Sequence, residues 1–133
     1  MPFYEAHTQS AALLQRLNTE AGLLVVCYCA EWCDTCKRYR QDFEALAAQW
    51  PAHTFVWIDI EESPELLEEN DIENFPTVLI QSPAGNQFFG PLLPYISHLE
   101  KLIARSGATT SLIDAGPGAL RDLLASAAQQ DTH

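Results

Sequence analysis

The stretch LLVVCYCAEWCDTCK, from Leu23 to Lys37, decides the fold. Its first part, Leu23 to Ala30, is a continuous apolar run rich in Val. It is far too short to span a bilayer. Its length and flanks predict a strand buried on both faces, as in a sheet with helices on either side. From about Cys33 the period changes. Phe43, Leu46, Ala47 and Trp50 form an apolar stripe and Pro51 follows, which predicts a helix from Cys33 to Trp50.

Working outward, Phe3 to Ala6 predicts a short first strand. Thr8 is placed to cap a helix carrying Leu13, Leu14 and Leu17, closed by Gly22. His53 to Ile60 (HTFVWIDI) predicts a second central strand, and Ser63-Pro64 opens a short acidic helix. Thr77 to Gln81 and Gln87 to Phe89 flank the turn Pro83-Ala84-Gly85-Asn86 and form a hairpin. Pro94 to Arg105 is an amphipathic helix with Ile96, Leu99, Leu102 and Ile103 inward. Helices alternating with apolar strands imply an α/β domain, a largely parallel sheet of four to five strands edged by the antiparallel hairpin. The domain is expected over residues 1–106. Residues 107–133 divide into a small, polar linker (Gly107 to Gly118) and a last helix (Ala119 to Gln129) with Leu120, Leu123 and Leu124 on one side. That helix is expected to dock on the domain or on a second copy, which allows a homo-oligomer.

The chain has 133 residues, 47% of them apolar, which suffices for one core. Its net charge of -11, from 18 acidic and 7 basic residues, disfavours nucleic acid and anionic membrane surfaces as partners. The carboxylates crowd between Asp59 and Glu73, with no Lys or Arg among them. A solvated acidic face explains this run, and steering toward a basic partner is the sharper reading. No transmembrane segment or secretory signal is read from the sequence. All four cysteines lie between Cys27 and Cys36. A secreted scaffold would spread them to staple distant loops, so the cluster predicts a chemical site in a reducing, cytoplasmic setting.

Cys33-Asp34-Thr35-Cys36 follows the buried strand and opens the helix. A lone C-x-x-C is a weak signal, shared with zinc ligands; its position gives it a mechanism. A helix N-terminus presents unpaired N–H groups and partial positive charge, which favour a thiolate. Cys33 sits where that field is strongest, and Cys36 lies one turn further in. The expected chemistry is attack by Cys33 on a substrate disulfide, then displacement of the product by Cys36, leaving a redox-active Cys33–Cys36 disulfide. No other cofactor and no metal are expected. Cys27-x-Cys29 projects both side chains to one face of the strand. These two thiols are read as small apolar packing groups. A second redox role, or a metal site shared with Cys33 and Cys36, is the alternative. Trp32 is expected at the rim of the site, and Trp50 and Trp57 in the core. The histidines His7, His53, His98 and His133 are expected at the surface.

AEWCDTCK, from Ala30 to Lys37, resembles the active-site segment of thioredoxins, and Phe75-Pro76-Thr77 resembles the cis-proline loop of the same family. The 40 residues from Cys36 to Pro76 are also family-like. The resemblance covers about residues 3–105 and implies a thioredoxin-like fold with an extra C-terminal helix. It implies a cis bond at Pro76 and a Phe75 backbone that pairs with an extended substrate, with Trp32, Thr77 and Gly90 also on the binding surface. It further implies disulfide-containing protein substrates and recharging by a flavoenzyme of the thioredoxin reductase type.

The departures concern tuning. Asp34-Thr35 stands where typical members have Gly-Pro. A carboxylate beside Cys33 opposes thiolate formation, so a reductant rather than a strong oxidant is expected. Cys27 occupies the place of the family's buried Asp, and Trp57 that of a neighbouring Lys. Cys29 replaces an aromatic residue, and Gln41 a helix-kinking proline. These departures also fit a second reading, a non-catalytic interaction module.

Overall fold

The computed structural model describes residues 3–19, 22–67, 70, 72–107 and 111–130, with only the backbone of residues 19 and 127–130. The strands are β1 (Phe3–Glu5), β2 (Leu24–Cys29), β3 (Thr54–Asp59), β4 (Thr77–Ser82) and β5 (Gly85–Pro91). The helices are α1 (Ser10–Thr19), α2 (Asp34–Gln49), α3 (Ile96–Arg105) and α4 (Leu120–Gln130). One five-stranded sheet runs in the order β1-β3-β2-β4-β5. β1, β3 and β2 are parallel, whereas β4 runs antiparallel to β2 and β5 antiparallel to β4. The sheet is therefore mixed, as expected, parallel on the β3 side of β2 and antiparallel on the other, where β4 enters from the opposite end.

β2 is buried along its whole length, which its apolar composition demanded. Its pleat divides the core in two. Val25, Cys27 and Cys29 face Cys36, Tyr39, Phe43 and Leu46 of α2 and Leu99 and Ile103 of α3. Leu24, Val26 and Tyr28 face Leu13 of α1, Leu66 of a single 3-10 turn (Pro64–Leu66) and Leu120 and Leu124 of α4. Phe43 is the hub of the first layer. Its ring meets those of Phe55 at 5.4 Å, Phe3 at 5.9 Å and Trp57 at 5.9 Å.

Two local expectations are corrected. Thr8 does not cap α1: the helix begins at Ser10, and the Thr8 hydroxyl donates to Glu5 instead. The short acidic helix opened by Ser63 and Pro64 is present as the 3-10 turn; residues 68, 69 and 71 beyond it lie outside the described residues. His53 is half-buried rather than on the surface. Its Nδ1 accepts the Leu23 N–H at 3.0 Å, and its ring stacks on Trp50 at 5.5 Å. His133 lies outside the described residues.

The segment leading to α4 is held to the hairpin end by side-chain amides. Asn86 Nδ2 donates to the Ala115 and Pro117 carbonyls at 2.9 and 2.8 Å. Buried Gln81 donates to the Gly118 carbonyl at 2.8 Å and accepts the Leu120 N–H at 3.2 Å. α4 thus docks on its own domain, against α1 and the 3-10 turn.

Two outcomes check this packing. Phe43→Ala should cost about 3–5 kcal/mol, read as a lower urea midpoint, because it opens a cavity at the centre of the first layer. A loss under about 1 kcal/mol would contradict that placement. Burial holds the His53 imidazole below its ordinary pKa. The unfolded chain takes up this proton near pH ~6.5 and the folded chain only at lower pH. Stability on this account is full above that value and falls as the pH drops through it. Urea unfolding at about pH 7.5 and about pH 5.5 should therefore show a smaller loss in His53→Gln than in the parent. Equal losses would refute the assignment.

Candidate functional site

The site forms where β2 ends beneath the first turn of α2. The chain reverses over Glu31 and Trp32, and the Cys33 N–H donates to the Ala30 carbonyl at 3.1 Å. Cys33 is the N-cap of α2, with extended backbone and no capping bond from its side chain. An N-cap Ser or Asp would accept a bond from the first-turn amides. A thiol is a poor acceptor, so those N–H groups remain oriented toward whatever negative charge develops on sulfur. Cys33 is half-buried with a free thiol, whereas Cys36 is buried at 1% exposure.

The Cys33–Cys36 disulfide expected from the sequence is not the bond present. Cys36 is bonded to Cys29, across a Cα–Cα distance of 5.8 Å. The reading of Cys29 as mere packing is corrected with it. The pleat that puts Cys27 and Cys29 on one face aims both at α2, and Cys29, as the last residue of β2, lies under the helix's first turn. That Cα spacing is within disulfide range. The alternation was legible in the sequence; the helix placement over it was not. Cys27 stays reduced, its sulfur 4.0 Å from that of Cys29. Full burial pushes the Cys27 thiol well above the ordinary range, so it is an inert neighbour.

The loop from Asn74 to Thr77 closes on the motif. The Phe75–Pro76 peptide is cis. The Phe75 ring meets the Trp32 ring edge-on at 5.6 Å. Trp32 is 64% exposed, and its indole N–H donates to Glu61. Thr77 does not present a free group to a substrate: it is buried, and its hydroxyl donates to the Asn74 carbonyl at 2.6 Å, bracing the loop. The Pro76 carbonyl accepts the Leu92 N–H at 3.1 Å, which brings the end of β5 alongside. Gly90 pairs with Val78, and a Cβ there would meet only Phe88 Cζ, at 3.8 Å.

Asp34 points into solvent. Its side chain is 89% exposed, 3.9 Å from Lys37 Nζ. A carboxylate so placed is screened by water and offset by the lysine. Thr35 is half-buried in the same turn. The α2 helix runs unbroken through Gln41.

Sequence reasoning missed two supports. Buried Asp59 accepts the Glu31 N–H at 3.1 Å and the Glu61 N–H at 2.9 Å, pinning the reversal that carries Trp32. An acid closing an otherwise apolar strand was the available signal. Arg40 joins α2 to β1. Its guanidinium bonds Glu5 at 2.6 Å and Glu44 at 3.1 Å and lies over the Phe3 and Trp57 rings. Burial alone would raise the Glu5 carboxyl, but Arg40 and Thr8 outweigh it and hold it below its usual range. A cavity of about 220 Å³ opens beside these groups and reaches Cys36, with Asp59, Glu62 and Lys37 in its wall. Among the described residues, no group of three His, Cys, Asp or Glu side chains is gathered as a metal site. No helix among them is long and apolar enough to cross a membrane.

This arrangement has close parallels. The thioredoxin family profile matches residues 5–89. The thioredoxin of Chlamydia trachomatis is 37% identical over 60 residues, 45% of this chain and 59% of its own length. That of Mycoplasmoides gallisepticum is 36% identical over 72 residues, 54% of this chain and 71% of its own. Fasciola hepatica thioredoxin superposes with a TM-score of 0.63 at 24% identity, over 73% of this chain and 94% of that one. The germline-specific thioredoxin Deadhead of Drosophila melanogaster superposes at 0.67 with 18% identity, over 78% and 99%. At such identities the superpositions speak for the fold, and the family match over most of the chain speaks for descent. The chain belongs to the thioredoxin family.

Proposed function

We infer that the chain is a thiol–disulfide oxidoreductase that reduces disulfides in proteins, with Cys33 as nucleophile and Cys36 as resolving thiol. The observation that carries this reading is the free Cys33 thiol at the N-cap of a 16-residue helix, one turn before buried Cys36. Cys33 attacks one sulfur of the substrate disulfide, releases the other as a thiolate, and holds the substrate in a mixed disulfide. Cys36 then attacks Cys33 Sγ, expels the second substrate thiolate and closes a Cys33–Cys36 bond. Two electrons pass from the chain to the substrate. The proton lost by Cys36 has a water path through the adjoining cavity, since Cys27 and Trp57 supply neither acid nor base at that place.

Phe75 and Pro76 form the rim that an extended peptide would follow, with exposed Trp32 as its apolar contact. Gly90 is compatible with the same reading, since a Cβ there would meet only Phe88 Cζ, at 3.8 Å, and the surface beside it is otherwise open. A thioredoxin-reductase-type flavoenzyme would return the electrons. The clustered cysteines favour a reducing, cytoplasmic compartment. Its screened position leaves Asp34 little leverage on the redox poise, so the reductant assignment rests on the family rather than on that carboxylate.

Insulin reduction with dithiothreitol as electron source tests the reading. Cys33→Ser should reduce the wild-type rate at least ~100-fold, to the uncatalysed background. Cys36→Ser should instead accumulate a Cys33-linked substrate adduct, visible by mass. A wild-type rate no faster than dithiothreitol alone would replace the enzyme with an interaction module.

A further inference from the structure

Cys36 has two available partners, and only one belongs to the reaction just described. The bond present joins Cys36 to Cys29, both almost fully buried. Neither sulfur stands at the surface, and only the cavity of about 220 Å³ reaches Cys36. The half-exposed thiol next to that bond is Cys33, one helical turn from Cys36. Cys27, fully buried, has its sulfur 4.0 Å from that of Cys29. Burial thus increases from half-exposed Cys33 to Cys36 and its bonded partner Cys29, with Cys27 beside Cys29 as an inert neighbour.

We propose that Cys29 is a third redox-active thiol, which takes over Cys36 after each oxidation and returns Cys33 to the free state. The inference rests on the oxidoreductase reading above. The Cys29 thiolate attacks Cys36 Sγ of the Cys33–Cys36 bond. A Cys29–Cys36 bond forms, the Cys33–Cys36 bond breaks, and Cys33 leaves as the thiolate. No electrons enter or leave in this exchange, and the proton that Cys29 gives up is matched by one available to Cys33. The oxidised chain then carries a buried disulfide and an accessible nucleophile at once. That nucleophile has lost its resolving partner. A second disulfide compound meeting it forms a mixed disulfide that stays, so the oxidised protein captures one further thiol-containing molecule at Cys33. Reduction follows the reverse order: an external thiol acts only after Cys33 has attacked Cys36 and released Cys29.

Titration of the fully reduced, native chain with excess dithionitrobenzoate tests this. The wild type should release about three equivalents of nitrothiobenzoate and retain one as an adduct on Cys33. Two come from closing Cys33–Cys36 and the third from the Cys33 thiol that Cys29 regenerates. Cys29→Ala should release about two and retain none. Cleavage after Glu31 and Asp34 separates Cys29, Cys33 and Cys36 onto different peptides, and fragmentation tells Cys29 from Cys27. This map of the wild type should show Cys29 linked to Cys36, and it decides the matter even if the variant fails to fold. Two equivalents with a Cys33–Cys36 link in the wild type would overturn the relay and leave the oxidoreductase reading standing. One equivalent, with Cys29 and Cys36 still reduced, would overturn both.

Discussion

The structure turns on how β2 meets α2. An eight-residue apolar run must be buried on both faces, so the chain leaves the sheet only at Ala30. It then has three residues in which to reverse and begin a helix. The Cys33 N–H to Ala30 carbonyl bond closes that reversal, and the Asp59 carboxylate holds its far side through the Glu31 amide. Everything chemical follows from the tightness of this turn. It sets Cys33 at the mouth of the helix, puts Cys36 on the helix's inner face, and places both over the end of the strand that carries Cys29.

The burial gradient along the sulfurs then divides their roles. A thiol must be reachable and able to ionise to act as a nucleophile, and ionisation is penalised in an apolar core. Cys33 meets the first requirement and Cys27 fails both, its thiol pushed up by complete burial. Cys36 and Cys29 lie between, buried yet bonded to each other. A bond placed in this way stands away from the surface, and only the cavity beside Cys36 reaches it.

Much of this was legible in the sequence, for definite reasons. The unbroken run in β2 and the helical stripe of Phe43, Leu46 and Ala47 gave the strand and helix nearly to their observed ends. The turn between β4 and β5 marked the antiparallel edge of the mixed sheet. Thr8 had the composition of a cap, but the Glu5 carboxylate competed for its hydroxyl. His53 read as a surface group because no pattern in its own strand reveals that the Leu23 amide needs an acceptor. The Cys29–Cys36 pairing was hidden for a similar reason. Strand alternation put Cys27 and Cys29 on one face, yet only the three-dimensional docking of α2 says which thiol lies above them. The C-terminal helix was visible as an apolar stripe, and its partner was settled by the Gln81 and Asn86 amides that hold the preceding segment.

The central claim is that one thiol of four is open to attack at the surface. Competitive alkylation tests it most directly: the fully reduced, native chain is exposed briefly to limiting iodoacetamide, and the label at each cysteine is read by mass spectrometry. The account predicts label on Cys33 at least ~10-fold above Cys36, Cys29 or Cys27. Comparable labelling of Cys36 or Cys29 would contradict it, because the sulfurs would then have more than one point of attack.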